Sequence, residues 1–373
     1  MILRSERILG TDLGDVVDGW IRVEDDHIAE VGRGVPPADA GPVTQVDGWL
    51  MPGLVDIHVH GAAGRSFDAG DPAAAARIAE HHRQHGTTTL VASLVTASID
   101  DLVRAVTGLA PAVDRGDIVG IHLEGPYLAA SRCGAHEPSL LIAPSLPDVS
   151  RLIEAGPVAM VTIAPELPGA LDAIRYLADH GVVAALGHTD ATYEQTLAGI
   201  GAGATHATHL FNGMRPLHHR DPGPIAAILE REDVTFELIN DGEHLHGALV
   251  TGLLGHTSDR VALITDAVAA TGLPDGEYEL GGLPIVVRAG RSELTATGSL
   301  AGATIVLADA VRRAVRAGTP AATAVRAATA TPARVLGLAH TLGSLRPGLR
   351  ADLVAADADF RVDRVWVRGG RVA

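Results

Sequence analysis

The sequence predicts an α/β chain built on a (β/α)8 barrel, with a small discontinuous β-sandwich domain formed by its two ends. Three observations lead there. Eight short apolar runs are spaced along the middle of the chain, Ala-rich helical stretches separate them, and both terminal segments alternate in the manner of strands. The 373 residues leave room for a barrel of about 250 residues and something smaller beside it.

Residues 1–52 contain MILRSERIL, GWIRVEDDHIAEVG and VTQVDGWLMPG, short strands punctuated by turns, which form the first part of the β-domain. Residues 53–340 read as the barrel. Its strands are LVDIHVH, TTTLVASLVT, DIVGIHLEG, VAMVTIAPE, VVAALGHT, ATHATHLF, VTFELIN and VALITD. After the eighth run, GLPDGEYELGGLPIVVRAGRSEL reads as a β insertion, and helices are expected around 303–316 and 320–336. Residues 341–373 return to alternation and should pair with the N-terminal strands as the second part of the β-domain.

Composition narrows the function. Hydrophobic residues at 47% and charged residues at 20% suit a packed core, and aromatics at 3% make that core aliphatic. A net charge of −16 disfavours nucleic acid and anionic membrane as partners, so an anionic substrate would need a local cationic pocket. All 29 basic residues are Arg, which removes Schiff-base lysines and phosphate-loop lysines from consideration. The lone Cys133 allows no intramolecular disulfide, MILRSERILG lacks the design of a signal peptide, and no 18-residue apolar run occurs. A soluble cytoplasmic protein is expected.

In this fold, chemistry sits where barrel strands end. Run one ends in His58-Val59-His60, and residues two apart on a strand share a face, so both imidazoles can enter the barrel mouth. Run three ends in Glu124, run five in His188, run six in His209 and run eight in Asp266. A single strand-end histidine is usually a hydrogen-bonded structural residue. The six together form a nitrogen and oxygen ligand set suited to zinc or a similar divalent ion. Glu124, His188 and His209 would complete one site, with Glu124 as the internal carboxylate able to bridge, and His58 with His60 would hold a second ion. Asp266 is left for acid–base work, taking a proton from water as it attacks a carbonyl and giving it to the departing amine. A neutral histidine such as His136 would help steady the oxyanion. His122 and His206 are assigned structural roles, His206 because three residues on a regular strand turn it away from His209. His81, His82 and His85 lie on an expected helix and are read as surface residues.

PGLVDIHVHG and the closing GSLRPGLRADLV resemble the amidohydrolase superfamily. HLEGPYL, GHTDATYEQ, THLFNGM, RDPG at 220–223, NDGEHLH and LITDAVAATGLPDGEYELG resemble, within it, the N-acetylglucosamine-6-phosphate deacetylases. The resemblance spans nearly the whole chain in order. It implies a metal held by Glu124, His188 and His209 with Asp266 as the acid/base. It implies backbone amides of Asn212 and Gly213 at the sugar phosphate, with Arg220 and His244 there too. At least one of these two would reach in from a neighbouring subunit of a homodimer. His136 would contact the sugar and the acetyl carbonyl. An Arg fork beside backbone amides suits a phosphate dianion.

The chain departs from the family pattern in three places. The HxH histidines, which some members lack, make one or two ions per subunit open alternatives. Gly213 stands where Ala is common, which should not disturb a backbone contact. Cys133 lies in a loop expected to cover the site, as a passive residue. Competing readings are a deacetylase for N-acetylgalactosamine 6-phosphate, a dihydroorotase-like hydrolase of cyclic amides, and a non-catalytic scaffold. Arg220 and His244 favour a phosphosugar, and a scaffold would be expected to have lost ligands.

Overall fold

The structure is a computed structural model that describes residues 1–38, 41–257 and 259–373. The chain opens with β1 (Ile2–Thr11), β2 (Gly14–Glu24), β3 (His27–Arg33) and β4 (Val43–Pro52). One residue later β5 (Leu54–Val59) begins, every residue of it buried. The joint between them, Gly53, is pressed so closely on Thr88 that an added Cβ would collide with that side chain. A hairpin of β6 (Gly61–Ala62) and β7 (Arg65–Ser66) follows.

β5 is the first barrel stave. The others are β8 (Thr87–Val95), β9 (Gly120–Glu124), β10 (Val158–Ile163), β11 (Val183–Leu186), β12 (His206–Ala207), β13 (Thr235–Ile239) and β14 (Val261–Ile264), paired in parallel in that order. The barrel closes beyond the last strand, where Asp266 N–H donates to His58 O at 3.0 Å and His60 N–H to Ala267 O at 2.8 Å. All eight expected runs therefore become staves of a (β/α)8 barrel.

The outer helices follow from local sequence. In Ile99–Asp114, Ser98 caps the N-terminus through Asp101 N–H, Asp100 and Asp101 sit in the first turn, and Leu102, Ala105, Val106, Leu109 and Ala112 form the buried stripe. Each fully buried Leu of such a stripe contributes roughly 1.5–3 kcal/mol. In Pro72–Gln84 the same logic corrects the sequence reading. Ala75, Ile78, Ala79 and His82 share the packed face, so His82 is fully buried, with Nε2 3.4 Å from Gly61 O. Burial pushes its pKa down to about 3. His81 and His85 are half-buried.

The insertion after β14 is a three-stranded antiparallel flap of β15 (Gly276–Leu280), β16 (Leu283–Arg288) and β17 (Arg291–Leu294). The helix expected at 303–316 runs Leu307–Arg316, and the one expected at 320–336 is broken at Thr329 (φ −139°, ψ −81°) into Ala321–Ala327 and Ala330–Val335. The tail supplies β18 (Leu353–Ala356), β19 (Val362–Val367) and β20 (Gly370–Arg371). β18 pairs antiparallel with β4, so both termini share one seven-stranded sheet around a core that includes Leu3, Ile21, Leu50, Leu353 and Trp366. No helix among the described residues is long and apolar enough to cross a membrane.

Candidate active site and metal centre

At the barrel mouth the six strand-end side chains converge. His58 on β5 and His60, the first residue beyond it, bring their Nε2 atoms to 3.2 Å. Glu124, the last residue of β9, lies between the groups: Oε1 is 2.8 Å from His209 Nε2 and 3.1 Å from His188 Nε2, while Oε2 is 3.2 Å from His60 Nε2. Asp266 Oδ1 is 3.2 Å from His60 Nε2. Two compact donor sets result, Glu124–His188–His209 and His58–His60–Asp266, each with its ligand atoms within 4.8 Å of one another.

The local backbone explains the convergence. His188, His209 and Asp266 each fall just beyond a stave, at φ +45°, +24° and +54°. Left-handed backbone at non-glycine residues costs about 1–3 kcal/mol each and persists only where surroundings enforce it. Here it turns three side chains off the strand direction into the mouth.

The donor chemistry fits a divalent cation. His58 Nδ1 lies 3.0 Å from Glu237 Oε2, His60 Nδ1 3.2 Å from Ser93 O, and His188 Nδ1 2.7 Å from Arg132 O. With ring hydrogens committed to those acceptors, the Nε2 atoms present bare lone pairs to one another and to two carboxylates. That arrangement repels itself unless positive charge sits among it. The titration of the cluster carries the same message. Burial opposes protonation of His60, yet Asp266 and Glu124 lift it to about 9, and Glu124, Glu237 and Asp266 raise His58 as well. Burial would raise Glu124, but His58, His136 and His188 hold it well below the usual carboxylate range.

Around the sets, His136 is buried with Nδ1 accepting Thr96 N–H at 3.3 Å and Nε2 3.4 Å from Glu124 Oε2; burial lowers its pKa. Asn212, Gly213 and His244 line the same cavity, of about 160 Å³. Gly213 (φ +60°) packs on His188, where an added Cβ would come within 2.8 Å of Nδ1. His244 Nδ1 meets Asp241 Oδ2 at 2.7 Å; burial opposes its charge, but Asp241 raises its pKa. Among the described lining residues, Gly134 and Ala135 represent the loop of Cys133, and Cys133 itself is absent. Arg220 is exposed on the 215–222 loop, with Nη1 2.7 Å from His219 Nε2, and is not among the cavity's described lining residues. The flap contributes Leu280.

His122 and His206 belong to neither set. His122 is buried between Ser93 Oγ (3.0 Å) and Thr162 Oγ1 (2.8 Å), and burial holds its pKa well below normal. His206 reaches Glu237 instead. The sequence singles out Glu124 as the internal carboxylate placed to act as a ligand and bridge. The structure adds Glu237 and Asp56, both fully buried. Burial pushes Asp56 up to about 7, with Thr265 Oγ1–H donating to it at 2.7 Å. The one signal for Glu237 in the sequence was a carboxylate inside an otherwise apolar run, two residues before inward-facing Ile239.

A barrel with this mouth belongs to a known class. Residues 49–372 match the amidohydrolase family, and the chain belongs to that family. Within it, the chain is similar to N-acetyl-D-glucosamine-6-phosphate deacetylase from Mycobacterium smegmatis. That structure is 46% identical, with TM-score 0.96 over 100% of both chains, and a mutant of it has been solved with N-acetyl-D-glucosamine-6-phosphate. The Vibrio furnissii N-acetylglucosamine-6-phosphate deacetylase is 40% identical, over 89% of this chain and 84% of its own length. An Escherichia coli O157:H7 N-acetylgalactosamine-6-phosphate deacetylase is 37% identical, over 99% of this chain and 98% of its own.

Proposed function

We propose that this chain hydrolyses the N-acetyl group of N-acetyl-D-glucosamine 6-phosphate, releasing acetate and D-glucosamine 6-phosphate. The observation that carries the reading is two donor triads joined by Glu124, which belongs to one and reaches His60 of the other at 3.2 Å, with Asp266 Oδ1 3.2 Å from His60. The ion is read as zinc, one or two per subunit. When bound, it supplies Lewis acidity to the amide carbonyl and to the attacking water.

The chain's own groups do the rest. Asp266 is held in its basic form, since burial would raise its pKa but His58 and His60 lower it. It takes the proton from water and delivers it to the amine nitrogen, which leaves poorly without it. His136 accepts Thr96 N–H at Nδ1, so its hydrogen is on Nε2, beside Glu124 Oε2 at 3.4 Å. In this reading it serves the developing oxyanion once Glu124 is committed to the ion. His244, oriented by Asp241, and the backbone N–H groups of Asn212 and Gly213 form the phosphate end. Arg220 is exposed on its own protomer, and in this reading it serves the phosphate across a homodimer interface. The setting is the cytoplasm.

The test is acetate release by the metal-loaded protein from N-acetylglucosamine 6-phosphate and its galacto epimer, with ring opening of dihydroorotate to carbamoyl aspartate followed separately. No release from the first would sink the reading. The galacto substrate is the second reading, favoured by the 37% identical relative that aligns over 99% of this chain. Metal content separates an enzyme from a scaffold, which has no need of stoichiometric ions. Arg220→Ala should raise KM for the phosphorylated sugar roughly 10- to 100-fold, the worth of a charged hydrogen bond, and leave N-acetylglucosamine itself little affected; equal effects would remove the phosphate contact.

A further inference from the structure

A histidine that offers Nε2 to a metal must carry its hydrogen on Nδ1, and the group that accepts that hydrogen decides how the ring is aimed and how basic it is. For His60 and His188 the acceptors are main-chain carbonyls, Ser93 O and Arg132 O. For His58 it is a carboxylate, Glu237 Oε2, at 3.0 Å. The same oxygen accepts the backbone N–H of His209 at 2.9 Å, at the residue whose left-handed backbone has to be held in place. The other oxygen lies 3.3 Å from His206 Nε2, and His206 Nδ1 is 2.7 Å from Thr235 Oγ1. Glu237 is fully buried, sits on a strand that supplies no ligand, and has no part in the reaction described above.

We infer that Glu237 is a positioning residue that couples the two donor sets: it fixes His58 with Nε2 bare toward His60 and Asp266, and it pins the strained backbone that carries His209 to Glu124 and His188. The inference rests on the two-ion reading of the centre. The two grips differ in kind. The hold on His58 depends on carboxylate charge, which raises the ring's basicity. The hold on His209 needs only an acceptor, which an amide oxygen also provides. Removing the charge while keeping the shape therefore weakens the His58–His60–Asp266 set and spares the other.

The experiment is a Co2+ titration of metal-stripped full-length protein, followed by absorbance and calorimetry. Wild type takes two equivalents. Glu237→Gln keeps the first at wild-type affinity and binds the second about 10- to 100-fold more weakly, as expected for loss of a charged partner behind a ligand. Two wild-type equivalents with an unchanged second affinity in the variant overturn the inference alone. A single equivalent in wild type defeats the two-ion reading and the coupling with it. Equal weakening of both equivalents, in step with a lower Tm, shows a merely structural carboxylate and also overturns it. Should Glu237→Gln fail to fold, the wild-type Co2+ protein still decides. Its paramagnetically shifted His58 Nδ1–H resonance, assigned by its loss in His58→Ala, exchanges slowly with solvent if it is bonded to Glu237, and rapid exchange refutes the bond.

Discussion

The two donor sets touch through Glu124, yet the chain builds them by opposite means. His58 and His60 come from one stave and the residue next to its end, both buried, their rings braced by Glu237 and Ser93 from inside the barrel. His188 and His209 come from two strands, each just past its end and each on left-handed backbone. One of them leans on the rim: His188 Nδ1 bonds the carbonyl of Arg132, whose guanidinium is tied to Asp190 at 2.7 Å with both side chains about a third exposed. One set is held by the core and the other partly by a loop. Disturbance of the barrel interior should therefore reach the first, and disturbance of the surface the second.

The largest expected effect comes from the group common to both. Glu124→Ala should remove both metal equivalents and all measurable acetate release, and a variant that kept the second equivalent would show the sets to be independent. Asp266→Asn should cost about 10²- to 10⁴-fold in kcat, the range for a lost acid–base group, while the ion at Glu124, His188 and His209 remains; retained turnover would strip Asp266 of its role.

Acidification probes the core side. His82 packs against Gly61, next to His60, and its folded pKa of about 3 lies below the ordinary histidine value. Between those two values the unfolded chain binds the extra proton, so stability falls as pH drops from about 6.5 toward 3. His82→Leu should flatten this slope, removing about 2 kcal/mol of the loss between pH 7 and pH 5. Thermal melts at both pH values measure it, and parallel slopes would contradict a buried neutral ring. The smallest effect is on the rim. Asp190→Asn should weaken only the first Co2+ equivalent, by a few-fold at most, since such partly exposed pairs are worth about 0–1 kcal/mol. A larger loss at the second equivalent would reverse the contrast between core and rim.

This contrast also governs what is legible in the sequence. His58-Val59-His60 was legible because a period of two is a property of strands, and Glu124, His188, His209 and Asp266 because chemistry in a barrel gathers where staves end. The left-handed backbone at three of them was not legible. Nothing in His, His and Asp announces it, and only the closed barrel imposes it. Glu237 is not legible, because an acid in VTFELIN looks like one tolerated residue in an apolar run, and its partners lie 28 and more positions away. At His82 the sequence misleads: three histidines within five residues suggest a polar surface, whereas the spacing from Ile78 and Ala79 places this one on the packed face. The terminal strands were recognised as strands, but alternation does not name a partner. That β1 lies parallel to β4 and that β18 completes the sheet beside it came only from the fold.

The Gly53 joint carries a last implication. β4 is bonded to β18 residue against residue, from Pro52 with Leu353 to Trp49 with Ala356, and Gly53 N–H itself donates to Asp352 O. With one residue between the terminal sheet and the stave that carries His58 and leads into His60, there is no slack to absorb a shift. A chain cut before residue 352 would leave that stave without its mooring, and the damage would appear in metal uptake, far along the sequence from the cut.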